Sequence, residues 1–382
     1  RTHPCFLPRA AGSCQLPRGP FLPGHPGAGC RKRSSIGLSV TAGPQPTKPI
    51  VIAHRGASGY LPEHTLAAYA TAVFQGADFI EPDPVMTRDG RLIARHDNRL
   101  DVTTDVARRP EFACRRTTRA VDGRHLTGWF SEDFTLAEIR TLRAVERLPQ
   151  LRPANARFDG QFPVPTLEEI LALREALEGV TGRPIGLYPE IKHPTHFRER
   201  DLPMEGPLVE TLHRHGLEDG CRVYIQSFEV ASLQRLRRLT RIPLIQLLAS
   251  EGQPFDVKAS GGALTYARMA TAAGLKDITV YAAGVGPDKT LLIPRDETGR
   301  LDPGRATTFV ADAHRVGLKV HPYTFRADNC FLPANHRHGD DPAALGDLAG
   351  ELAVFLALGI DGFFTDQPDL GVQIRDTARS LT

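Results

Sequence analysis

Short apolar runs alternate with segments of helical periodicity along the chain from residue 50 onward. Bounded apolar runs of about four to eight residues are typical of buried strands, and apolar residues recurring every three to four positions indicate a helix with one buried face. The pattern predicts eight strands, at 49–54, 78–87, 185–192, 222–228, 242–248, 278–286, 318–325 and 360–366. It predicts helices between most of them, the clearest at 63–76, 166–179, 230–239 and 303–317.

This order of elements predicts the fold class. Strands that alternate with helices form βαβ units and a parallel sheet. Eight such units in about 330 residues fit an α/β fold of the (β/α)₈ TIM-barrel type better than an open doubly wound sheet. Residues 98–164 break the alternation, so we predict a small insertion there, after the second strand. The expected barrel domain spans 49–382, and 1–48 is expected to be a disordered or mis-called N-terminal extension.

Charge excludes one class of partner. The 382 residues carry a formal net charge of +3, but the first 49 contain seven basic residues, nine prolines and no acidic residue. Subtracting those seven charges leaves −4 for residues 50–382, so the barrel lacks the basic surface that nucleic-acid binding requires. No run approaches the roughly 18 apolar residues of a membrane span, and we expect no stable membrane insertion. The sequence does not predict the oligomeric state.

The stretch "IEPDPV" at 80–85 can be interpreted in two ways. Glu81 and Asp83 are two residues apart, which places both carboxylates on one face of a strand. Pro82 and Pro84 disfavour a hydrogen-bonded strand, because proline has no backbone N–H to donate. The stretch is therefore either a strand that carries a metal site or an acidic turn bent by its prolines.

Polar residues cluster where the predicted strands end. In a TIM barrel the active site lies at the carboxyl ends of the strands. The residues found at these ends are His54, Arg55, Glu81, Asp83, His96, Glu190, Lys192, Gln226, Lys289, His321, Tyr323, Arg326 and Asp366. Three of them, Glu81, Asp83 and Glu190, offer the hard oxygen ligands that Ca²⁺ or Mg²⁺ prefers.

The cations and histidines at the same ends complete the chemistry of a phosphoryl-transfer site. Arg55 and Lys192 carry the positive charge that binds a phosphate. His54 and His96 can exchange protons near neutral pH, one with a nucleophile and one with a leaving group. Each residue alone has a plainer explanation, such as a solvated acidic face or an Arg55–Glu81 ion pair. Only a functional site predicts that all of them converge.

Several motifs resemble the glycerophosphodiester phosphodiesterase family. They are "HRGASGYLPEHT" (54–65), "IEPDPVMTRDG" (80–90), "HD" (96–97), "YPEIK" (188–192), "QSF" (226–228), "GVGPD" (284–288), "VHPYTFR" (320–326) and "DGFFTDQPD" (361–369). The likeness runs from about Pro49 to Leu370 and is greatest to the long bacterial periplasmic enzymes. It implies a TIM barrel, hydrolysis of substrates such as glycerophosphocholine to glycerol 3-phosphate and an alcohol, and a periplasmic or secreted location. No signal peptide can be identified in the sequence.

The resemblance also implies a role for each site residue. It assigns a divalent cation, Ca²⁺ first and Mg²⁺ as the alternative, to the three acids, and acid/base catalysis to His54 and His96. It assigns phosphate and substrate binding to Arg55, Lys192, Gln226, Lys289 and Tyr323. A substrate hydroxyl would attack phosphorus, and water would then open the cyclic phosphate. The sequence departs from the family at Pro82 and Pro84, which flank the metal-ligating Asp.

Two other functions are compatible with the sequence. A lysophospholipase D-like phosphodiesterase would use the same site but would need a long apolar surface near its entrance. A surface binding protein on the same barrel, with weak or no catalysis, would not need both histidines and all three acids. Since all five residues are present, an enzyme that hydrolyses small glycerophosphodiesters is the leading hypothesis.

Overall fold

A computed structural model describes residues 48–218 and 222–379, and the extension predicted at 1–48 lies outside it except for Lys48. In this part of the chain the strands are β1 (Ile50–Ala53), β2 (Phe79–Ile80), β3 (Pro84–Met86), β4 (Leu92–Ala94), β5 (Thr117–Val121), β6 (Arg124–Gly128), β7 (Gly186–Leu187), β8 (Ile225–Ser227), β9 (Leu244–Leu248), β10 (Gly284–Pro287), β11 (Lys319–Val320) and β12 (Gly362–Thr365). The pair β3–β4 is antiparallel, as is the pair β5–β6.

Eight parallel strands form the barrel. They make two four-stranded sheets, in the orders β12-β1-β2-β7 and β11-β10-β9-β8. Isolated parallel bridges join the sheets at both seams, Leu187 to Val223 and Phe325 to Thr365. Backbone hydrogen bonds cross these seams as well, for example from the N–H of Phe325 to the carbonyl of Phe364 at 2.8 Å. The predicted (β/α)₈ barrel is confirmed.

Helices follow most of the barrel strands. They are α1 (Leu66–Phe74), α2 (Leu136–Ile139), α3 (Pro153–Ala156), α4 (Leu167–Thr181), α5 (Pro194–Arg198), α6 (Glu205–Arg214), α7 (Val230–Leu239), α8 (Phe255–Ala259), α9 (Tyr266–Met269), α10 (Ala272–Ile278), α11 (Phe309–Arg315), α12 (Leu348–Ala357) and α13 (Pro368–Arg379). Thr166 and Glu169 form a capping box at the start of α4, and Gly182 ends it with φ = +65°. Within the described ranges, no helix combines the length and apolarity needed to cross a membrane.

The strand predicted at 278–286 begins in the wrong place. Residues up to Ile278 belong to α10, and β10 starts only at Gly284. The side chain of Thr271 caps α10 by accepting from the N–H of Gly274, and Leu275 and Ile278 are buried three residues apart on one helical face. Only Ile278 of the predicted strand is helical, and residues 279–283 form the turn after α10. An apolar run of this composition does not distinguish a strand from a helix end followed by a turn.

Residues 98–164, which we call the 98–164 segment, carry their own hairpin and short helices. Asp122 and Gly123 connect β5 to β6 with φ values of +48° and +76°, the left-handed pair that a tight hairpin turn requires. The indole N–H of Trp129, the only tryptophan, donates to the carbonyl of Phe112 at 2.6 Å. The buried apolar side chains of the segment, such as Phe112, Trp129 and Phe134, belong to the same hydrophobic cluster as the barrel core.

Arg95, directly after β4, connects this segment to the barrel. Its side chain is fully buried and donates to the carbonyls of Glu63 and His64 at 2.8 Å each and of Thr103 at 3.0 Å. A buried carbonyl without a donor is costly, so one guanidinium satisfies backbone groups from two separate loops.

We predict that Arg95→Met lowers the free energy of unfolding by about 3 kcal/mol, because it leaves several buried carbonyls without donors. Arg91→Met is the matched control, since the Arg91 side chain is half exposed and its contact with Glu168 is 3.4 Å long. Thermal unfolding followed by circular dichroism measures both variants. Equal melting temperatures for the two variants would show that Arg95 has no such role.

Candidate active site

The stretch 80–84 continues the barrel ladder through both prolines. The carbonyls of Ile80, Pro82 and Pro84 accept from the N–H groups of Tyr188, Glu190 and Lys192 at 2.9, 3.0 and 3.4 Å. This side of the ladder uses proline only as an acceptor, so the missing N–H groups do not break it. The strand interpretation of "IEPDPV" is therefore the better one, although regular pairing stops between β2 and β3.

Three carboxylates meet at this point. Glu81 and Asp83 flank Pro82, and Glu190 lies across the ladder from them; each offers one oxygen, and these oxygens lie within 4.8 Å of one another. All three residues are buried. Burial and the charges of Asp83 and Glu190 raise the pKa of Glu81 well above its ordinary value, and burial is the main cause that raises the pKa of Glu190 to about 7.

The three acids fit a hard divalent cation. Oδ1 of Asp83 is buried and has no hydrogen-bond partner, and the same is true of the amide oxygen of Gln226 beside it. A cation among the carboxylate oxygens would satisfy the first of these atoms and remove the repulsion between the acids.

Two cations and a histidine surround Asp83. Oδ2 of Asp83 lies 3.0 Å from Nε2 of His64, 3.7 Å from Nε of Arg55 and 3.9 Å from Nζ of Lys192. Burial alone would raise the pKa of Asp83, but these neighbours hold it well below its ordinary value. Nζ of Lys192 also lies 2.6 Å from Glu190. The two cations predicted to bind phosphate therefore lie beside the acids.

His54, directly after β1, is oriented by a carboxylate. Its Nδ1 lies 2.6 Å from Oδ1 of Asp366, and its Nε2 lies 4.0 Å from Glu81. Asp366 in turn accepts from Arg152 at 2.7 Å and from Arg326 at 2.8 Å. Because the carboxylate accepts from Nδ1–H, Nε2 carries the lone pair. Burial and the charge of Arg55 lower the pKa of His54 to about 3, so the imidazole is neutral near pH 7.

His96, which follows β4, also lies beside a carboxylate, but its Nδ1 is buried and makes no hydrogen bond. Its Nδ1 lies 3.3 Å from Asp97, which Arg147 pairs with at 2.8 Å. Burial and the charges of Arg55 and Lys192 hold the pKa of His96 well below its ordinary value.

The predicted residues line one cavity. Its volume is about 340 Å³, and its walls include both histidines, Arg55, Lys192, Gln226, Lys289 and Tyr323. The amide of Gln226 donates to Glu81 at 2.7 Å, and the hydroxyl of Tyr323 donates to the carbonyl of Leu248 at 3.0 Å. The charge of Lys289 is already paired with buried Glu351 at 2.6 Å. Asp83 does not line this cavity itself, because it is buried behind the residues that do.

Several residues at the site were missed from the sequence. His64 and Glu63 stand inside the first quoted motif but were given no role. Asp366 and Arg326 were found at strand ends, but the pairing of Asp366 with His54 was not predicted. Arg147 and Arg152 come from the 98–164 segment and carried no signal. Arg147 binds both carboxylate oxygens of Glu63 at 2.8 Å each, and Glu63 binds Arg55 at 3.0 Å.

Two curated proteins are similar in sequence over most of this chain. The curated protein "glycerophosphodiester phosphodiesterase GDPD6" of Arabidopsis thaliana is 37% identical over 336 residues, which is 84% of each chain. A glycerophosphodiester phosphodiesterase of Haemophilus influenzae is 32% identical over 368 residues, 91% of this chain and 94% of that one.

Solved structures support the fold. An Oleispira antarctica phosphodiesterase, crystallised with the product sn-glycerol-3-phosphate, superposes with a TM-score of 0.56 at 22% identity over 86% of this chain and 97% of that one. A glycerophosphodiester phosphodiesterase from Parabacteroides distasonis gives 0.51 at 20% identity, over 87% and 98%. The profile described as "Glycerophosphoryl diester phosphodiesterase family" matches residues 54–370. The chain therefore belongs to the glycerophosphoryl diester phosphodiesterase family and is a phosphodiester hydrolase.

Proposed function

We propose that the site hydrolyses glycerophosphodiesters to glycerol 3-phosphate and an alcohol, using a divalent cation held by Glu81, Asp83 and Glu190. The observation that carries the proposal is the meeting of three acids within 4.8 Å, two cations and two carboxylate-paired histidines at one end of a barrel. Ca²⁺ is the proposed ion, since three carboxylates supply the hard oxygen donors it takes in flexible geometries, and Mg²⁺ is the alternative. When bound, the cation would offset charge on the phosphoryl oxygens.

Arg55 and Lys192 would hold the phosphate. Both cations are buried beside the metal acids, where the low dielectric strengthens their attraction for an anion. The Nε of Arg55 has no hydrogen-bond partner, so it retains a donor for a phosphoryl oxygen. The glycerol part is proposed to lie in the same cavity, with Gln226, Lys289 and Tyr323 in its walls.

The histidines would move the protons. Nε2 of His54 carries a lone pair because Asp366 holds Nδ1–H, which suits it to take the proton of the attacking glycerol hydroxyl. His96 would give its proton to the leaving alcohol. Because burial and the charges of Arg55 and Lys192 lower the pKa of His96, this role requires the negative charge of the bound phosphodiester to offset those two charges. Water then opens the cyclic phosphate, with the two histidines exchanging roles.

The two rival functions lack a supporting observation. Large exposed apolar side chains among the described residues are Phe74, Val180, Leu239, Val280 and Leu345, and none of these lines the cavity. The periplasmic or secreted location stays a prediction.

Metal binding can be tested without measuring turnover. Adding Ca²⁺ to protein stripped with EDTA should raise the melting temperature, because the cation relieves repulsion between buried carboxylates. Asp83→Asn should weaken half-saturation by roughly tenfold or more, and the exposed control Asp340→Asn should not change it. A titration curve identical for wild type and Asp83→Asn would remove Asp83 from the ligands, and a parallel Mg²⁺ titration identifies the preferred ion.

Leaving-group dependence separates the histidine roles. His54→Ala and His96→Ala should each lower kcat on glycerophosphocholine by about 10²–10⁴-fold, and the exposed His125→Ala should not. On a 4-nitrophenyl ester of glycerol 3-phosphate, the leaving group needs no proton. His96→Ala should then recover most of its rate while His54→Ala stays slow; the opposite pattern would exchange the two assignments.

A further inference from the structure

A second cavity adjoins the first. It has a volume of about 760 Å³ and shares His96, Glu190, Lys192 and Phe228 with the catalytic cavity. A phosphodiester bound at the acids can therefore place one substituent in each cavity. His54 lines only the first cavity and His96 lines both. Under the proposed function, the alcohol that receives its proton from His96 leaves on the side of the second cavity.

Glu229 is the unusual residue in the wall of this cavity. It is only 3% exposed, and its carboxylate accepts from the N–H and the hydroxyl of Thr195. Among the residues that the structure describes, it has no salt bridge to a lysine, arginine or histidine, unlike Glu190 or Asp122. Burial raises the pKa of Glu229 to about 7, and the charges of Asp256 and Asp122 act in the same direction. A cation bound beside Glu229 would offset the free-energy cost of burying its charge without a partner.

Aromatic rings lie in the same wall. Phe228 and Tyr266 both line the cavity, with ring centroids 6.1 Å apart and planes at 76°. Phe255 lines it as well. The faces of such rings attract an alkylammonium group, and more strongly where water is excluded.

The basic residues of the second cavity have other partners than Glu229 or are exposed. Arg147 is paired with Glu63 and Asp97 at 2.8 Å each, and Arg99 lies 3.6 Å from Asp101. Lys192 is paired with Glu190, and His193 is paired with Asp122 at 2.6 Å. Arg124 and Lys258 are exposed to solvent, where their fields are screened.

We propose that this cavity binds the ammonium group of the leaving alcohol, with Glu229 as its counter-ion and the rings of Phe228 and Tyr266 around it. The favoured substrates are then glycerophosphodiesters of amino alcohols, both quaternary and primary. The proposal rests on the proposed function for the reaction, but the binding of the ammonium group can be measured separately.

Glu229 also has a structural role that the test must separate. Its bonds to Thr195 lie at the first turn of α5, so removing the side chain would disturb the loop after Lys192. Glu229→Gln retains an oxygen that accepts from Thr195 and removes only the charge. Glu251→Gln is the matched control, because Glu251 lines the same cavity but is exposed.

The experiment compares three substrates. For Glu229→Gln, KM for glycerophosphocholine and glycerophosphoethanolamine should rise by about five- to tenfold, with kcat little changed. KM for glycerophosphoglycerol, whose alcohol is neutral, should stay as in the wild type, and Glu251→Gln should change none of the three. A Glu229→Gln variant that alters all three substrates equally, or none, would overturn the proposal.

Direct binding distinguishes failure of the subsite from failure of the reaction. Calorimetric titration of the wild type with choline chloride should show binding that Glu229→Gln weakens by a similar factor. Lack of hydrolysis of all three substrates would refute the proposed function alone. Choline binding that is absent, or unaffected by Glu229→Gln, would refute the ammonium site.

Discussion

Repulsion among three buried carboxylates is the constraint around which this end of the barrel is arranged. Two unit charges 4.8 Å apart repel by about 3 kcal/mol at an effective dielectric constant of about 20. Glu81, Asp83 and Glu190 stay together because Arg55, Lys192 and His64 contact Asp83 or Glu190. The pKa of Glu81 is nevertheless raised well above its ordinary value, so these contacts do not fully offset the repulsion among the three acids. A site with this residual repulsion is suited to a divalent cation.

Arg55 and the histidines His54 and His96 depend on a second layer of residues that comes from outside the barrel strands. Arg147 fixes Glu63, which fixes Arg55, and Arg147 also pairs with Asp97 beside His96. Arg152 binds Asp366, which orients His54. Two arginines of the 98–164 segment thus act on both histidines and on Arg55, one of the two cations proposed to bind phosphate. The segment is part of the active site although it contributes no predicted catalytic residue.

The sequence predicted the barrel and most of the site because both follow local rules. Alternating strands and helices determine the fold, and a barrel places strand-end residues such as His54 and Glu190 together. The prediction failed where long-range geometry decides. The strand predicted at 278–286 begins with the end of a helix and a turn, and β10 starts only at Gly284. No local pattern connects Arg152 with Asp366, 214 positions later. The sequence also could not show whether Pro82 and Pro84 interrupt the strand. Only the structure shows that their carbonyls accept hydrogen bonds from Glu190 and Lys192, so that the ladder does not need their missing N–H groups.

That pairing also shows that the reacting centre and the second cavity are formed by different parts of the chain. The ladder from 80–84 to 188–192 fixes the backbone of two acids against that of the third acid and Lys192, so the reacting centre depends on barrel strands. The second cavity is built differently, from the turn of the β5–β6 hairpin, the start of α7 and the loop before α8. Loops accept substitution more readily than paired strands. Relatives that are 32–37% identical can therefore share the phosphoryl chemistry and still differ in the alcohol they release. In this chain, Glu229, which is buried without a paired cation, is the residue proposed to select that alcohol.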